Sequence, residues 1–166
     1  MIERIIAFAA ACLVFGGLYT ACRQQSPVAT PEQIQELKLV TKSYKVRGKR
    51  YVPMDANAAL RYKEEGIASF FEGAGSRGAL GERMKRGEFY AAHPTLPMPC
   101  RVRITSLSNG RSCEARIVDR GPFSRGRIID VSSAVARELD FTRKGLERVR
   151  VEVISVGDGP HRLMAE

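Results

Sequence analysis

Asp119 is the residue most readily given a chemical role. It ends an alternating segment, Cys113 to Val118, and is followed at once by Arg120-Gly121-Pro122-Phe123. Gly-Pro turns the chain directly after the carboxylate and fixes it at the rim of the sheet its segment joins. A carboxylate held this way either caps its own turn or serves as a positioned acid or base. Glu82 sits in a Gly-rich loop beside Gly81, Arg83 and Lys85. It reads either as a second functional carboxylate or as a solvated turn residue paired with those cations. His93, between Ala92 and Pro94, is either packed and bonded to backbone or part of the same site. No His or Cys lies at metal-ligand spacing from it, so no metal is expected there. Arg120 and Arg127 either orient carboxylates or are ordinary surface arginines. Asp130, ahead of Ser132, is expected to favour the start of a helix.

Short strands must position these residues. The chain has 166 residues, 44% hydrophobic and 27% charged, which allows one domain with appendages and excludes a multidomain enzyme or a disordered chain. Alternation marks Tyr44 to Val46 and Tyr51-Val52 around a Gly48 turn, Gly66 to Phe71, Arg101 to Thr105, Cys113 to Val118 and Arg148 to Val153. Asn109-Gly110 reads as the turn of a hairpin between the fourth and fifth of these. One helix, Ala134 to Leu139, is capped by Ser132 or Ser133 and carries Val135 and Leu139 on one face with Val131. Short strands with a single short helix predict a small β-barrel. Arg101, Arg103 and Arg116 then point outward, and Val102, Ile104, Ala115 and Ile117 inward.

The N-terminus predicts export. Arg4 precedes an uncharged run from Ile5 to Tyr19, too short to span a membrane comfortably, and Thr20-Ala21 lead to Cys22. This resembles a bacterial lipoprotein signal: residues 1–21 would be removed, Cys22 acylated, and the protein held to a bacterial membrane in the cell envelope. Residues 22–43, with Pro27 and Pro31, are expected to form a flexible tether, with a loosely packed helix between Glu32 and Val40. The formal charge of +9 survives loss of the leader, which removes one Glu and one Arg, and points to an anionic partner. Cys100 and Cys113 are then the two cysteines left to pair in an oxidising compartment. A regular Asn109-Gly110 hairpin sets Cys113 opposite Ser106, roughly 20 Å along the strand from Cys100. A bridge needs Cα atoms within about 7 Å, so a Cys100–Cys113 disulfide requires a bulge or a bent strand, and two buried thiols are the alternative.

Taken in order, Gly66-Ile67-Ala68-Ser69, Gly81-Glu82-Arg83, Ala91-Ala92-His93-Pro94-Thr95-Leu96-Pro97, Asn109-Gly110-Arg111-Ser112, Asp119-Arg120-Gly121-Pro122-Phe123 and Gly126-Arg127-Ile128-Ile129-Asp130-Val131-Ser132 resemble the rare lipoprotein A (RlpA) family. Tyr44 to Tyr51 looks like the family's entry strand pair, so the resemblance runs from about Tyr44 to Val153. It implies a six-stranded double-psi β-barrel with one or two short helices over residues 44–154. It also implies a lytic transglycosylase acting on peptidoglycan glycan strands, preferably free of peptide, with no cofactor and no nucleic-acid partner. By the same resemblance Asp119 falls on the catalytic acid, Glu82 on the second carboxylate and His93 on a supporting residue. The protein is expected to be a monomer. Residues 155–166 are expected to form a tail too short for the C-terminal glycan-binding module of many members.

The chain departs from the family pattern close to this site. Phe70-Phe71-Glu72 stands where the family has Trp-Tyr-Gly, and Leu80 where it has Asn. Phe70 and Phe71 are expected to keep an aromatic platform for sugar, with Arg120 and Arg127 beside it. Two functional classes follow: a glycan-cleaving enzyme using Asp119, and a wall-binding barrel that has lost turnover. An enzyme should bring Glu82 and His93 onto a groove beside Asp119; their separation favours the binder.

Overall fold

The computed structural model describes residues 29–165 except Gly73. The expected leader, Cys22 and the start of the tether lie outside the described residues. From Ala29 onward the chain is docked, where a loose tether was expected. Thr30 opens α1 (Pro31–Glu36) with a capping box, its hydroxyl accepting from Gln33 N while the Gln33 side chain accepts from Thr30 N at 2.9 Å. Leu37 caps the helix and is buried, packing so closely on Gly157 that a Cβ there would lie 2.7 Å from Leu37 Cδ2. Ala29 and Asn57 exchange hydrogen bonds of 3.1 and 3.3 Å, and Val40 N donates to Met98 O. The apolar Ile34, Leu37 and Leu39 supply the reason, since each packs on the core.

β1 (Tyr44–Val46) and β2 (Lys49–Tyr51) form a two-stranded ribbon with Tyr44 opposite Tyr51. Its turn residues Arg47 and Gly48 both have positive φ, 48° and 80°, as a two-residue hairpin turn demands. The ribbon stands outside the barrel ladder. After α2 (Ala56–Leu60), capped by Asp55, come β3 (Lys63–Phe71), β4 (Tyr90–Ala92), β5 (Cys100–Ser106), β6 (Ser112–Asp119) and β7 (Arg127–Ser132). α3 (Ser133–Glu138), β8 (Leu146–Val156) and β9 (Leu163–Met164) follow.

The sheet runs β3-β7-β4-β6-β5-β8 and closes through a β3–β8 pairing, giving a six-stranded barrel with β9 added outside β8. β3–β7 and β4–β6 are parallel and the other pairings antiparallel. This is the double-psi β-barrel expected. Two of its strands, β4 and β7, are not singled out by alternation, and three short helices accompany it among the described residues. Val102, Ile104, Ala115, Ile117, Val131, Val135, Leu139 and Val151 are buried in one core, as the alternation predicts. Residues beyond Ile154 do not hang free, because Ser155 and Val156 complete β8 and pair with Met164 and Leu163.

The β5–β6 hairpin differs from expectation by two residues. Ser106 N donates to Arg111 O, and Cys113 lies opposite Ile104, not Ser106. The Asn109 amide explains the longer loop: Oδ1 accepts from Arg111 N and Nδ2 donates to Leu139 O, tying the tip to the end of α3. Cys100 pairs with Ile117, four residues from Cys113 on β6 and so roughly 13 Å along that strand. Both cysteines are free thiols, which corrects the disulfide expectation; burial raises Cys100 to about 12 and Cys113 to about 11.

Candidate active site

One register row carries the polar chemistry. Ala92, on the central strand β4, pairs with Asp119 of β6 on one side and Asp130 of β7 on the other, and Asp130 pairs in turn with Ser69 of β3. Asp119 and Asp130 therefore stand two strand spacings apart, about 10 Å between Cα positions. A bulge at Val118 lets Ala91 face Ile117 while the next residue, Ala92, faces Asp119. That extra residue re-aims the end of β6 and keeps Asp119 on the outer face beside the loops.

Asp119 is held through one oxygen. Oδ1 accepts from Arg120 N at 2.8 Å and from Ala79 N at 3.1 Å, and the Asp119 carbonyl accepts from His93 N at 3.1 Å. Both backbone anchors fall on Oδ1, so Oδ2 is the oxygen left without a backbone donor. Asp130 is held likewise: Oδ1 accepts from the Ser69 hydroxyl and lies 3.5 Å from Arg127 Nη1, which also donates to Ser69. Arg127 Nη2 donates to Ser124 at 3.0 Å. Ser132 caps α3, as expected, while the Asp130 carboxylate, expected only to favour the helix start, is bound to Ser69 and Arg127 beside the Asp119 row. Gly121, at φ 132° and two residues after Asp119, passes close to Asp130: a Cβ there would lie 3.8 Å from both Asp130 Oδ2 and Phe123 Cε2. Sequence reasoning missed this role, although the stretch around Asp130 contained the signal: a charged residue between Ile129 and Val131, both buried.

Glu82 and His93 are near Asp119 without aiming side chains at it. The Gly78–Glu82 turn packs its backbone on β6, with Leu80 N donating to Val118 O and Ala79 N to Asp119. The Glu82 carboxylate turns instead to Arg116, with Nη2 to Oε1 at 3.1 Å, and Arg116 also binds Asp158. Its hydrogen bond to Arg116 holds Glu82 below the usual carboxylate range, which suits an ion pair and not a proton donor. His93 is buried at 2% exposure. Its Nδ1 accepts from Thr95 N and Leu96 N at 3.1 and 2.9 Å, so the ring proton is on Nε2 and is donated to Tyr62 Oη at 2.9 Å. Tyr62 in turn donates to Glu64. Burial pushes the imidazole down to about 3. His93 thus builds the floor beneath Asp119 as a neutral residue.

Arg120 is a clamp. Its Nη1 donates to the carbonyls of His93 and Leu96, its Nη2 donates to Val40 O at 2.9 Å, and the guanidinium lies 5.4 Å from the Tyr44 ring centroid. Phe70, expected on the sugar platform, meets Phe141 edge-on at 6.0 Å and packs on the core. Phe71 points the other way, as alternation requires, and lines a cavity of about 130 Å³ with Met84, Tyr90, Ser132 and Arg137. Phe71, Ser132 and Tyr90 form the row two residues from Ser69, Asp130 and Ala92. Beyond the carboxylates in the opposite direction stand Tyr44, Tyr51 and Phe123. Tyr44 and Tyr51 stack at 5.3 Å, Phe123 meets Tyr51 edge-on at 5.3 Å, and Tyr44 Oη donates to Pro94 O at 2.7 Å. Aromatic residues therefore flank the two acids at both ends.

The closed six-stranded ladder with its two parallel pairings defines the class as a double-psi β-barrel, and the sequence comparison narrows it. Residues 63–151 match the family described as Lytic transglycolase, and the chain belongs to that family. It is 45% identical over 118 residues to the endolytic peptidoglycan transglycosylase RlpA of Neisseria meningitidis serogroup A, covering 70% of this chain and 48% of that protein. To the RlpA of Rickettsia felis it is 39% identical over 120 residues, covering 69% and 51%. To a probable RlpA transglycosylase of Nostoc sp. it is 45% identical over 107 residues, covering 62% and 29%. The chain spans about half the length, or less, of these curated relatives.

Proposed function

We propose that the protein is an endolytic lytic transglycosylase, cleaving the bond between N-acetylmuramic acid and N-acetylglucosamine in peptidoglycan with Asp119 as acid and base. The observation that carries this is the double anchoring of Asp119 Oδ1 by backbone amides, which leaves Oδ2 without a backbone donor on a residue that shares its register row with Asp130. Protonated Oδ2 gives its proton to the glycosidic oxygen as the bond to the muramic anomeric carbon breaks. The Asp119 carboxylate then takes the proton from the muramic 6-hydroxyl as that oxygen attacks the same carbon, closing a 1,6-anhydro ring. No water is consumed. Asp130, fixed by Ser69 and Arg127, offers negative charge to the developing oxocarbenium ion. Arg120 and His93 hold the floor, and Glu82 acts through Arg116 on the turn that anchors Asp119.

We take peptide-free strands as the preferred substrate, and the chain's charge of +9 attracts any wall strand that carries free carboxylates. We assign the protein to the cell envelope as a monomer, anchored through acylated Cys22 after loss of residues 1–21. A second reading, a wall-binding barrel without turnover, is favoured by one observation: the Glu82 and His93 side chains are engaged with Arg116 and Tyr62, away from Asp119.

Digestion of sacculi and of peptide-free glycan by the purified full chain, with products read by mass spectrometry, tests the proposal. Anhydro-muramic ends from the parent, reduced at least about 100-fold by Asp119→Asn, are expected. Retention on sacculi with no products from the parent would replace the enzyme reading with the binder.

A further inference from the structure

The cationic ribbon β1–β2 has no part in the barrel ladder, yet it is built onto the rim that carries Asp119. Tyr44 is tied to Pro94, one residue after His93, and to Arg120, one residue after Asp119. Phe123, 36% exposed, lies against Tyr51 and reaches the same point over Gly121 as Asp130 Oδ2. The ribbon carries Lys45, Arg47, Lys49 and Arg50, all exposed, and among the described residues none of the four has an ion-pair partner. Elsewhere on the barrel Arg103, Arg116, Arg127 and Arg150 are paired with carboxylates. Lys49 is two residues from Tyr51 and shares its face, with Nζ 5.1 Å from the Tyr51 ring centroid.

We infer that the ribbon and Phe123 form a glycan subsite beyond the carboxylates, in which the Tyr51–Phe123 surface packs on a sugar ring and Lys49 binds the lactyl carboxylate of a muramic acid residue. The inference rests on the glycan-cleaving reading above and extends it to charge selectivity. A pyranose ring presents C–H groups to an aromatic face, and a cation on that face meets the substituent that makes muramic acid anionic. Free lactyl carboxylates recur along a peptide-free strand, which matches a run of unpaired cations better than an uncharged glycan would. Lys49 is a binding residue: it holds the strand by that carboxylate and touches no reacting atom.

The test uses the full chain and its Lys49→Glu and Phe123→Ala variants on two substrates, peptide-free glycan strands and the same strands with their lactyl carboxylates methyl-esterified. Lys49→Glu is expected to raise KM about fivefold on the free-acid strands, with kcat unchanged and no effect on the ester. Phe123→Ala is expected to raise KM about tenfold on both. Equal KM for parent and both variants, with near-ultraviolet circular dichroism unchanged, overturns the subsite while leaving the Asp119 reading intact. Should the parent yield no anhydro ends, Asp119 catalysis fails, and co-sedimentation with the same two glycans decides the subsite by itself. Parent binding that favours the free acid and is weakened by Lys49→Glu supports it; equal binding by parent and variant rejects it.

Discussion

His93 and Asp119 are neighbours through one backbone hydrogen bond, but their protonation has opposite consequences. Protonating Asp119 makes it an acid; protonating His93 breaks its acceptor bonds from Thr95 and Leu96 in a buried site. The folded pKa of His93, about 3, lies below the ordinary 6.5, so its stabilising effect is complete above pH 6.5 and is lost as pH falls toward 3. In that window this group reduces unfolding free energy by ~1.4 kcal/mol per pH unit. Chemical denaturation at pH 6, 5.5 and 5 should show close to this slope in the parent in excess of that in His93→Gln. A slope unchanged by the substitution would mean that the imidazole is not held neutral by the fold.

At the scale of elements, the proposed role of Asp119 depends on a turn that contributes no reacting side chain. The Gly78–Glu82 turn provides the Ala79 amide that fixes Asp119, and it can do so because Gly78 presses on β6: a Cβ there would lie 2.5 Å from the Val118 carbonyl oxygen. Arg116 latches the far end through Glu82. Gly78→Ala must push the turn off the strand, costing about 1–3 kcal/mol of stability. It should lower kcat more than it raises KM, because Asp119 loses an anchor while the aromatic ends remain. Thermal melts with initial rates check this, and a variant with parental kcat would separate the turn from the chemistry. The two-residue change of register at the β5–β6 tip is instructive for the opposite reason. An even shift preserves which face each residue occupies, so Val102, Ile104, Ala115 and Ile117 are inward as alternation predicts while the opposing partner of Cys113 changes.

For the whole molecule, charge is the property least dependent on fold. A chain at +9 attracts an anionic wall polymer over a distance set by ionic strength, so raising NaCl from about 50 to about 500 mM should weaken retention on sacculi by about tenfold. Retention on uncharged chitin should change far less, and equal salt sensitivity on both polymers would remove electrostatics from the account.

The sequence by itself determined the barrel class, the inward and outward faces of its long strands, the α3 face and the turn that sets Asp119 at the end of its strand. Each of these follows from local periodicity, or from a turn adjacent in the chain, or from ordered motifs. Only the tertiary structure decided that Ala92 brings Asp119 and Asp130 into one row, and that Glu82 serves Arg116 while His93 is buried and neutral. It alone set Phe70 in the core, left both cysteines free, and placed Tyr44 and Tyr51 beside Phe123. Those outcomes depend on which distant strands become neighbours, and a parallel pairing such as β4 with β6 joins residues whose proximity no local pattern encodes.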